Sequence, residues 1–276
     1  GINFALGVDA IALVLILMST ILAPIVVLAG WNEAHGGRWS VKTFYILILV
    51  LETMMIGVFA ATDLFLFYVI FEAMLIPVYF LIGGYGTGER SAAAVKFLLY
   101  SLFGGLLMLA SIIALYVMSG AQGGHTFDID KLSQLQMSST TQNLLFLGFF
   151  IAFAIKAPVW PFHTWLPDAA NSATPGTSVL LLGVLDKVGT FGMIRYCLTL
   201  FPDASKTFTP LIMILAVISI IYGAFLAIGA KDIKRLIAYT SISHFGFITM
   251  GIFAMTSQAQ SGAILYMFNH GFSTAA

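Results

Sequence analysis

KAPVWPFHTWLPDA, residues 156–169, is the stretch that decides how this chain folds. It places Pro158, Pro161 and Pro167 within ten residues, just after a lysine that lies in a long apolar run. Proline has no backbone N–H, and its ring clashes with the carbonyl four residues before it. The sequence therefore predicts a helix that breaks just after Lys156. In a membrane such a break is tolerated where the freed backbone is buried or lines a water-filled cavity.

The composition of the whole sequence is typical of a membrane protein. Of its 276 residues 60% are hydrophobic and 9% are charged, and the mean hydropathy is +1.00. Repeated apolar stretches of about 20 residues predict transmembrane helices. We predict an all-α fold, a polytopic transmembrane helix bundle with a discontinuous helix near 156–167. Nine apolar segments are predicted, at 9–30, 43–61, 64–83, 92–119, 142–162, 177–200, 208–229, 237–256 and 261–276.

Residues 1–276 are expected to form a single membrane domain that belongs to a longer protein. Gly1 is not an initiator methionine, and the last run is still apolar at Ala276. The basic residues of the connectors predict the orientation, because cytoplasmic loops carry an excess of Lys and Arg. The predicted cytoplasmic side carries Arg38, Lys42, Arg90, Lys231, Lys234 and Arg235, and the opposite side carries Lys131, Arg195 and Lys206.

Composition also argues against several kinds of site. The formal net charge is zero, so nothing indicates a nucleic-acid partner. Cys197 is the single cysteine, which excludes an internal disulfide and a cysteine-ligated cluster. His163 and Asp168 are only two candidates, too few for a typical metal site. We therefore expect no cofactor and no metal in this chain.

Three charged residues lie near the middle of long apolar runs: Glu72, Lys156 and Lys187. A charge at the centre of a membrane helix costs roughly 2.5–3.5 kcal/mol on insertion scales, and such residues usually mark ion or proton pathways. A buried Glu–Lys pair can be switched, because burial and a neighbouring charge act on it in opposite senses. The structural alternative is that each charge is neutralised by one fixed partner.

Three further charged residues are weaker candidates. Lys96 lies near the end of its helix, so its ammonium could snorkel to the membrane surface. Glu52 lies deeper in its segment. Asp186 adjoins Lys187, but neighbouring helical residues point about 100° apart, so the two side chains need not pair.

Two histidines lie in the last apolar segments. His244 stands among hydroxyl residues in AYTSISHFGFITM, and His270 follows Asn269 in YMFNHGFS. Histidine titrates near neutrality and can relay protons. A lone histidine on an apolar face is, however, more often a satisfied structural donor.

Several motifs, in order along nearly the whole chain, resemble the antiporter-like membrane subunits of respiratory complex I, NADH:quinone oxidoreductase. The likeness is strongest to the M-type chains, counterparts of mitochondrial chain 4, and residues 173–192 look actinobacterial. The motifs are FEAMLIPVYFLIGGYG (71–86), KFLLYSLFGGLLML (96–109), KAPVWPFHTWLPDA (156–169), VLDKVGTFGMIRY (184–196) and KDIKRLIAYTSISHFGF (231–247).

The resemblance implies a fold of about fourteen transmembrane helices, of which this chain covers roughly helices three to eleven. It implies a proton-translocating subunit in the cell membrane, or in the mitochondrial inner membrane if the protein is organellar. The energy would come from quinone reduction elsewhere, so the chain itself performs no redox chemistry. FMN, iron–sulfur clusters and quinone are expected in partner subunits, and L- and N-type chains are expected as membrane neighbours.

The resemblance also implies roles for individual residues. Glu72 looks like the family glutamate, paired with a lysine that matches Lys96 or Lys156. Lys156 resembles the lysine of the broken helix, and Lys187 resembles the central lysine of the next helix. The two histidines fall where the family continues its polar axis. The predicted proton-transfer residues are Glu72, Lys156, Lys187, His244 and His270, with Lys96, Glu52 and Asp186 as secondary candidates.

Two features of the sequence depart from the family pattern. The stretch DAANSATPGTS (168–178) differs from the commoner family sequence, and an aspartate directly before Lys187 is unusual.

A cation/proton antiporter subunit of the Mrp type and a membrane-bound hydrogenase subunit would carry the same glutamate and lysines. A purely structural scaffold is the third alternative, and it predicts that Lys156→Ala leaves pumping intact.

Overall fold

The structure, a computed structural model, describes residues 2–276, which form fourteen α-helices and two π-helical turns. The α-helices are α1 (Ala10–Ala29), α2 (Val41–Ala60), α3 (Leu64–Ala73), α4 (Leu75–Tyr85), α5 (Arg90–Ala121), α6 (Ile129–Leu132), α7 (Ser139–Lys156), α8 (Trp165–Ser172), α9 (Pro175–Leu180), α10 (Asp186–Gly192), α11 (Leu198–Leu200), α12 (Pro202–Ile228), α13 (Ile233–Phe253) and α14 (Ser257–Ala275). The π turns are Leu181–Leu185 and Met193–Cys197.

Eight helical stretches are long and apolar enough to cross a membrane: α1, α2, α3–α4, α5, α7, α9–α11, α12 and α13. The predicted all-α, multi-pass membrane architecture is therefore confirmed. The ninth predicted segment is also helical, as α14, but it does not reach the hydropathy of the other eight. Gln258, Gln260, Asn269 and His270 lower its apolar character.

Side chains at the ends of the spans define where several helices begin. Asp9 caps α1 by accepting from the Ala12 N–H at 2.8 Å. Asp63 caps α3 by accepting from the N–H groups of Phe65 and Leu66, both at 3.0 Å. Such caps satisfy backbone donors that have no partner within the helix. Each cap therefore fixes the residue at which its helix begins.

One face of the bundle gathers the connectors that carry most of the basic residues. The Thr87 N–H donates to the Ser172 carbonyl at 2.7 Å. Lys234 Nζ donates to the carbonyls of Asn171 and Ala173 at 2.6 and 2.9 Å. These bonds join the end of α8 to the connector before α5 and to the first turn of α13. They agree with the predicted grouping of these connectors on one side of the membrane.

The opposite face holds the other group of connectors. There Arg195 forms an ion pair with Asp9. The backbone of Asp63, just before α3, forms an isolated antiparallel β-bridge with that of Asp128, just before α6. The structure thus separates the two predicted sets of connectors, and the cytoplasmic assignment of the basic face stays a prediction.

The span that begins with α7 is interrupted where the prolines predict it. The helix α7 ends at Lys156, and α8 resumes at Trp165. The Trp165 ring N–H donates to the Ile155 carbonyl at 2.8 Å, so a side chain satisfies one backbone group that the break leaves free. The predicted discontinuous helix is confirmed.

Two further spans are interrupted in ways that were not predicted. The span of α3 and α4 is broken at Met74. Pro77 explains this break, because it lacks the N–H that would bond to the Ala73 carbonyl. The span from α9 to α11 contains both π turns, which lie on either side of α10. All three interrupted spans carry a predicted site residue at or beside the interruption.

Candidate functional site

Lys156, the last residue of α7, carries its charge into an aromatic environment. The residue is 1% exposed, and its Nζ has no hydrogen-bond partner within residues 2–276. Nζ lies 4.8 Å from the ring centroid of Phe71 and 5.6 Å from that of Phe97. Aromatic faces attract a cation without fixing its protons in hydrogen bonds. The closest described neighbours of the Lys156 amine are therefore aromatic faces rather than hydrogen-bond acceptors.

Glu72 lies in the last turn of α3, next to the interruption at Met74. Its Oε1 is buried and has no hydrogen-bond partner among the described residues. A methyl group at Gly105 of α5 would overlap this carboxylate, so the glycine leaves the space that Glu72 occupies. Glu72 and Lys156 interact electrostatically without forming an ion pair in the part of the chain described here.

The sequence leaves the partner of Glu72 open between two lysines, and the structure distinguishes them. Lys96 Nζ lies 2.7 Å from Asp168 Oδ2, at the basic face of the bundle. Its charge is thus already paired. Lys156 is the lysine that interacts electrostatically with Glu72.

Lys187 is fully buried and has two polar partners. Its Nζ donates to the Leu182 carbonyl at 2.7 Å and lies 2.7 Å from His270 Nδ1. The π turn provides the first partner. The Asp186 N–H donates to the Leu181 carbonyl, five residues back, so it does not occupy the Leu182 carbonyl as an α-helix would require.

The two histidines continue from Lys187. The rings of His270 and His244 lie 5.4 Å apart between centroids, at an interplanar angle of 81°. His270 is 3% exposed, whereas His244 is half-buried and stands edge-on to Tyr266. When Lys187 donates to Nδ1, the neutral His270 ring carries its proton on Nε2. The structure thus brings Lys187, His270 and His244 together.

Two of the secondary candidates lie in different settings. Asp186 is fully buried, and neither carboxylate oxygen has a hydrogen-bond partner in residues 2–276. It interacts electrostatically with both Lys187 and Lys156. Glu52 is half-buried on α2, and the described residues include no ion pair between it and any of these groups.

Asp168 is a residue whose importance the sequence interpretation missed. It bonds to Lys96 through one carboxylate oxygen and to Arg235, at 3.0 Å, through the other. All three line a cavity of about 510 Å³ at the basic face. The available signal was the position of Asp168 directly after Pro167, at the end of the broken stretch. His163, considered with it as a metal ligand, instead packs edge-to-face against the ring of Tyr222.

The family model described as "NADH:quinone oxidoreductase/Mrp antiporter, TM" matches residues 61–276. NADH-quinone oxidoreductase subunit M of Mycobacterium tuberculosis is 53% identical, over 100% of this chain and 56% of its own length. Subunit M of Escherichia coli K12 is 44% identical, over 100% and 55%. The chain therefore spans about half the length of the curated relatives it matches. The resemblance to M-type chains and its actinobacterial character are confirmed.

Solved structures agree. A chain of "respiratory complex I from Thermus thermophilus with bound NADH" has a TM-score of 0.88 and 34% identity, covering 100% of this chain and 56% of that one. A chain of the Mrp complex from Dietzia has a TM-score of 0.86 at 21% identity, covering 98% and 50%, which is agreement in fold alone. From the family model, the relatives and these folds together, the chain belongs to the NADH:quinone oxidoreductase/Mrp antiporter transmembrane family.

Proposed function

We propose that this chain translocates protons as part of the M-type membrane subunit of an NADH:quinone oxidoreductase. The observation that carries this function is a continuous series of titratable groups inside the bundle. Electrostatic interactions or hydrogen bonds connect each member to the next. The series is Glu72, Lys156, Asp186, Lys187, His270 and His244.

Proton uptake begins at the basic face in this mechanism. The cavity lined by Lys96, Asp168 and Arg235 gives water access to that face. From there the path leads past Tyr100 and Thr164, whose hydroxyls are 2.7 Å apart. Hydroxyl groups both donate and accept hydrogen bonds, so this pair can pass a proton inward. The freed backbone of the proline break lies on the same route toward Lys156.

The Glu72 side chain controls the first transfer. When the carboxylate lies close to Lys156, it stabilises the charged ammonium. When it moves away, the aromatic surroundings favour the neutral amine, and the proton leaves. The interruption at Met74 lies two residues after Glu72, so the last turn of α3 can shift without moving α4. Opening and closing of this pair is the switch that couples transfer to events elsewhere.

The second half of the path runs from Lys187 to the histidines. Lys187 gives its proton to Nδ1 of His270, and the ring releases the proton that it carries on Nε2 toward His244. Each ring is neutral again once it has passed a proton on, and a flip of the His270 ring returns an unprotonated nitrogen to Lys187 before the next transfer. This is the ordinary behaviour of an imidazole in a proton relay.

The partners and cofactors belong to the assembled enzyme. Quinone reduction in other subunits supplies the energy, and FMN and iron–sulfur clusters are held there too. L- and N-type antiporter-like chains are the membrane neighbours, and the plasma membrane is the location. What supports this assignment over an Mrp-type subunit is identity: 53% to the mycobacterial M chain against 21% to the Dietzia Mrp chain.

The test uses membrane vesicles from a strain that carries the full-length protein. We compare Glu72→Gln and Lys156→Ala with wild type, recording NADH:quinone activity and proton uptake, with assembly checked on a native gel. Both activities should fall by about 10²-fold, the lower end for removing a positioned proton-transfer group. Asp130→Asn, which changes an exposed carboxylate outside the series, is the control and should leave both unchanged.

Normal pumping in both variants, with the complex assembled, would overturn the function and favour a structural scaffold. Sodium-dependent transport without NADH oxidation would favour the Mrp-type alternative. Co-purification with an FMN and iron–sulfur arm would support the assignment to complex I.

A further inference from the structure

Asp186 is the buried carboxylate whose surroundings most need an explanation. A buried polar group is normally hydrogen-bonded, because an unpaired one is costly. Asp63, also buried, follows this rule: it accepts from three backbone N–H groups. Asp186 is 0% exposed, and neither of its oxygens has such a partner in the described residues. A role in helix capping or packing therefore does not account for it.

The packing of α10 places Asp186 on the side that faces the proline break. Gly189, three residues later, lies against the end of α7. A Cβ there would be 2.6 Å from the Phe153 carbonyl oxygen and 2.8 Å from Ala157 Cβ. Residues three apart share one face of a helix, so Asp186 faces the same part of α7. That part ends in Lys156, whose Nζ also has no hydrogen-bond partner among the described residues.

The neighbouring residue faces another helix. Gly183 and Gly271 allow the first π turn to approach α14 closely, since a Cβ on Gly271 would lie 3.0 Å from the Gly183 carbonyl oxygen. This contact places Lys187 beside His270. Two adjacent residues of α10 therefore face two different helices: Asp186 faces the end of α7, and Lys187 faces α14.

A fixed ion pair between Asp186 and Lys187 would be the structural explanation. Lys187 Nζ, however, bonds to the Leu182 carbonyl and to His270, and the Asp186 oxygens accept from no described residue. Asp186 interacts with both lysines only through space. The carboxylate thus stands between two amines without being bonded to either.

We propose that Asp186 is a proton carrier that passes protons from Lys156 to Lys187, an inference that rests on the function proposed above. The carboxylate takes a proton from the Lys156 ammonium, which leaves a neutral amine and a carboxylic acid. The acid then gives the proton to the neutral Lys187 amine and returns to a carboxylate. Atoms and charge balance over the two transfers.

The experiment uses the full-length protein in its assembled complex, with Asp186→Asn and Asp186→Glu. Asparagine keeps the shape but cannot carry the proton, so proton uptake and coupled NADH oxidation should fall about ten-fold, or about 1.4 kcal/mol in the barrier. Glutamate restores the carboxyl group and should recover most of the rate. Tyr196→Phe, which removes another fully buried oxygen without a hydrogen bond, is the control and should pump normally.

A spectroscopic measurement separates a carrier from a structural residue. The infrared difference spectrum between two pH values should contain a carboxylic-acid carbonyl band that Asp186→Asn removes and Asp186→Glu shifts. Wild-type pumping in assembled Asp186→Asn would overturn this proposal. If Glu72→Gln and Lys156→Ala still abolish pumping, the proposed function stands without it; if they too pump normally, the function itself is wrong.

Discussion

The centre of the bundle and its basic face hold the same kinds of charged residue in opposite arrangements. At the basic face, Asp168 is bonded to Lys96 and Arg235, and the side chains are 34–39% exposed. At the centre, Glu72 Oε1, Lys156 Nζ and the Asp186 oxygens lack any hydrogen bond within residues 2–276. The partly exposed charges of the basic face are thus paired, whereas these three central groups bond to no described residue.

Stability alone would favour the reverse arrangement. An exposed ion pair contributes only about 0–1 kcal/mol, whereas an uncompensated buried charge costs roughly 3–5 kcal/mol. Unpaired central charges therefore reduce the stability of the bundle. They are useful only if their protons must move, because a group fixed in several hydrogen bonds gives up its proton less readily. Under the proposed function, the contrast separates residues that anchor the bundle from residues assigned to proton transfer.

The largest effect is expected where the central series has its shortest polar contact. Lys187→Ala removes the amine that bonds to His270 and to the Leu182 carbonyl. Proton uptake and coupled NADH oxidation should fall by about 10²-fold or more. Vesicle assays on the assembled complex measure this, and Lys131→Ala, in an exposed position, is the control. Wild-type pumping by Lys187→Ala would show that proton uptake does not depend on the central residues more than on those of the basic face.

A smaller effect should come from moving a central charge without removing it. Gly105→Ala places a methyl group where the Glu72 carboxylate lies, so Glu72 must shift relative to Lys156. We expect proton uptake to fall about ten-fold, or about 1.4 kcal/mol in the barrier. Gly262→Ala adds the same methyl group where no atom of residues 2–276 beyond its own stretch of helix lies within 4 Å, and it should leave uptake unchanged. Equal rates in the two variants would show that the position of Glu72 does not matter.

The smallest effect is expected at the basic face. Asp168→Asn breaks the ion pairs to Lys96 and Arg235, which are partly exposed. The loss should not exceed about 1 kcal/mol, seen as a modest drop in thermal stability of the complex and at most about a five-fold change in uptake. Asp203→Asn, exposed near the start of α12, provides the comparison. A loss as large as that of Lys187→Ala would place Asp168 in the transfer path itself.

Local chemistry explains what was predictable from sequence. The break after Lys156 follows from three prolines, whose effect depends on their own backbone and not on distant contacts. Glu72, Lys156 and Lys187 stand out because charge is rare in apolar runs. The break at Met74 was equally local, since Pro77 lies in the same segment, but the length of the apolar run concealed it.

Other features depend on contacts between distant parts of the chain. Asp168 meets residues that are 72 and 67 positions away, so its neighbours give no hint of its partners. The choice of Lys156 as the electrostatic partner of Glu72 likewise depends on how α3 and α7 pack. Neither π turn was predicted, because the approach of Gly183 to Gly271 is a tertiary contact.

A π turn has the same effect on a helix as one inserted residue. Each residue of an α-helix advances by about 100°, so every side chain after Leu181–Leu185 is rotated by about that angle from its place on an uninterrupted helix. An ordinary α-helix with this sequence would aim Lys187 away from His270. The hydrogen-bonding register of the π turn therefore sets the direction in which this lysine points. In a relative without the turn, a lysine at the same alignment position would face a different neighbour.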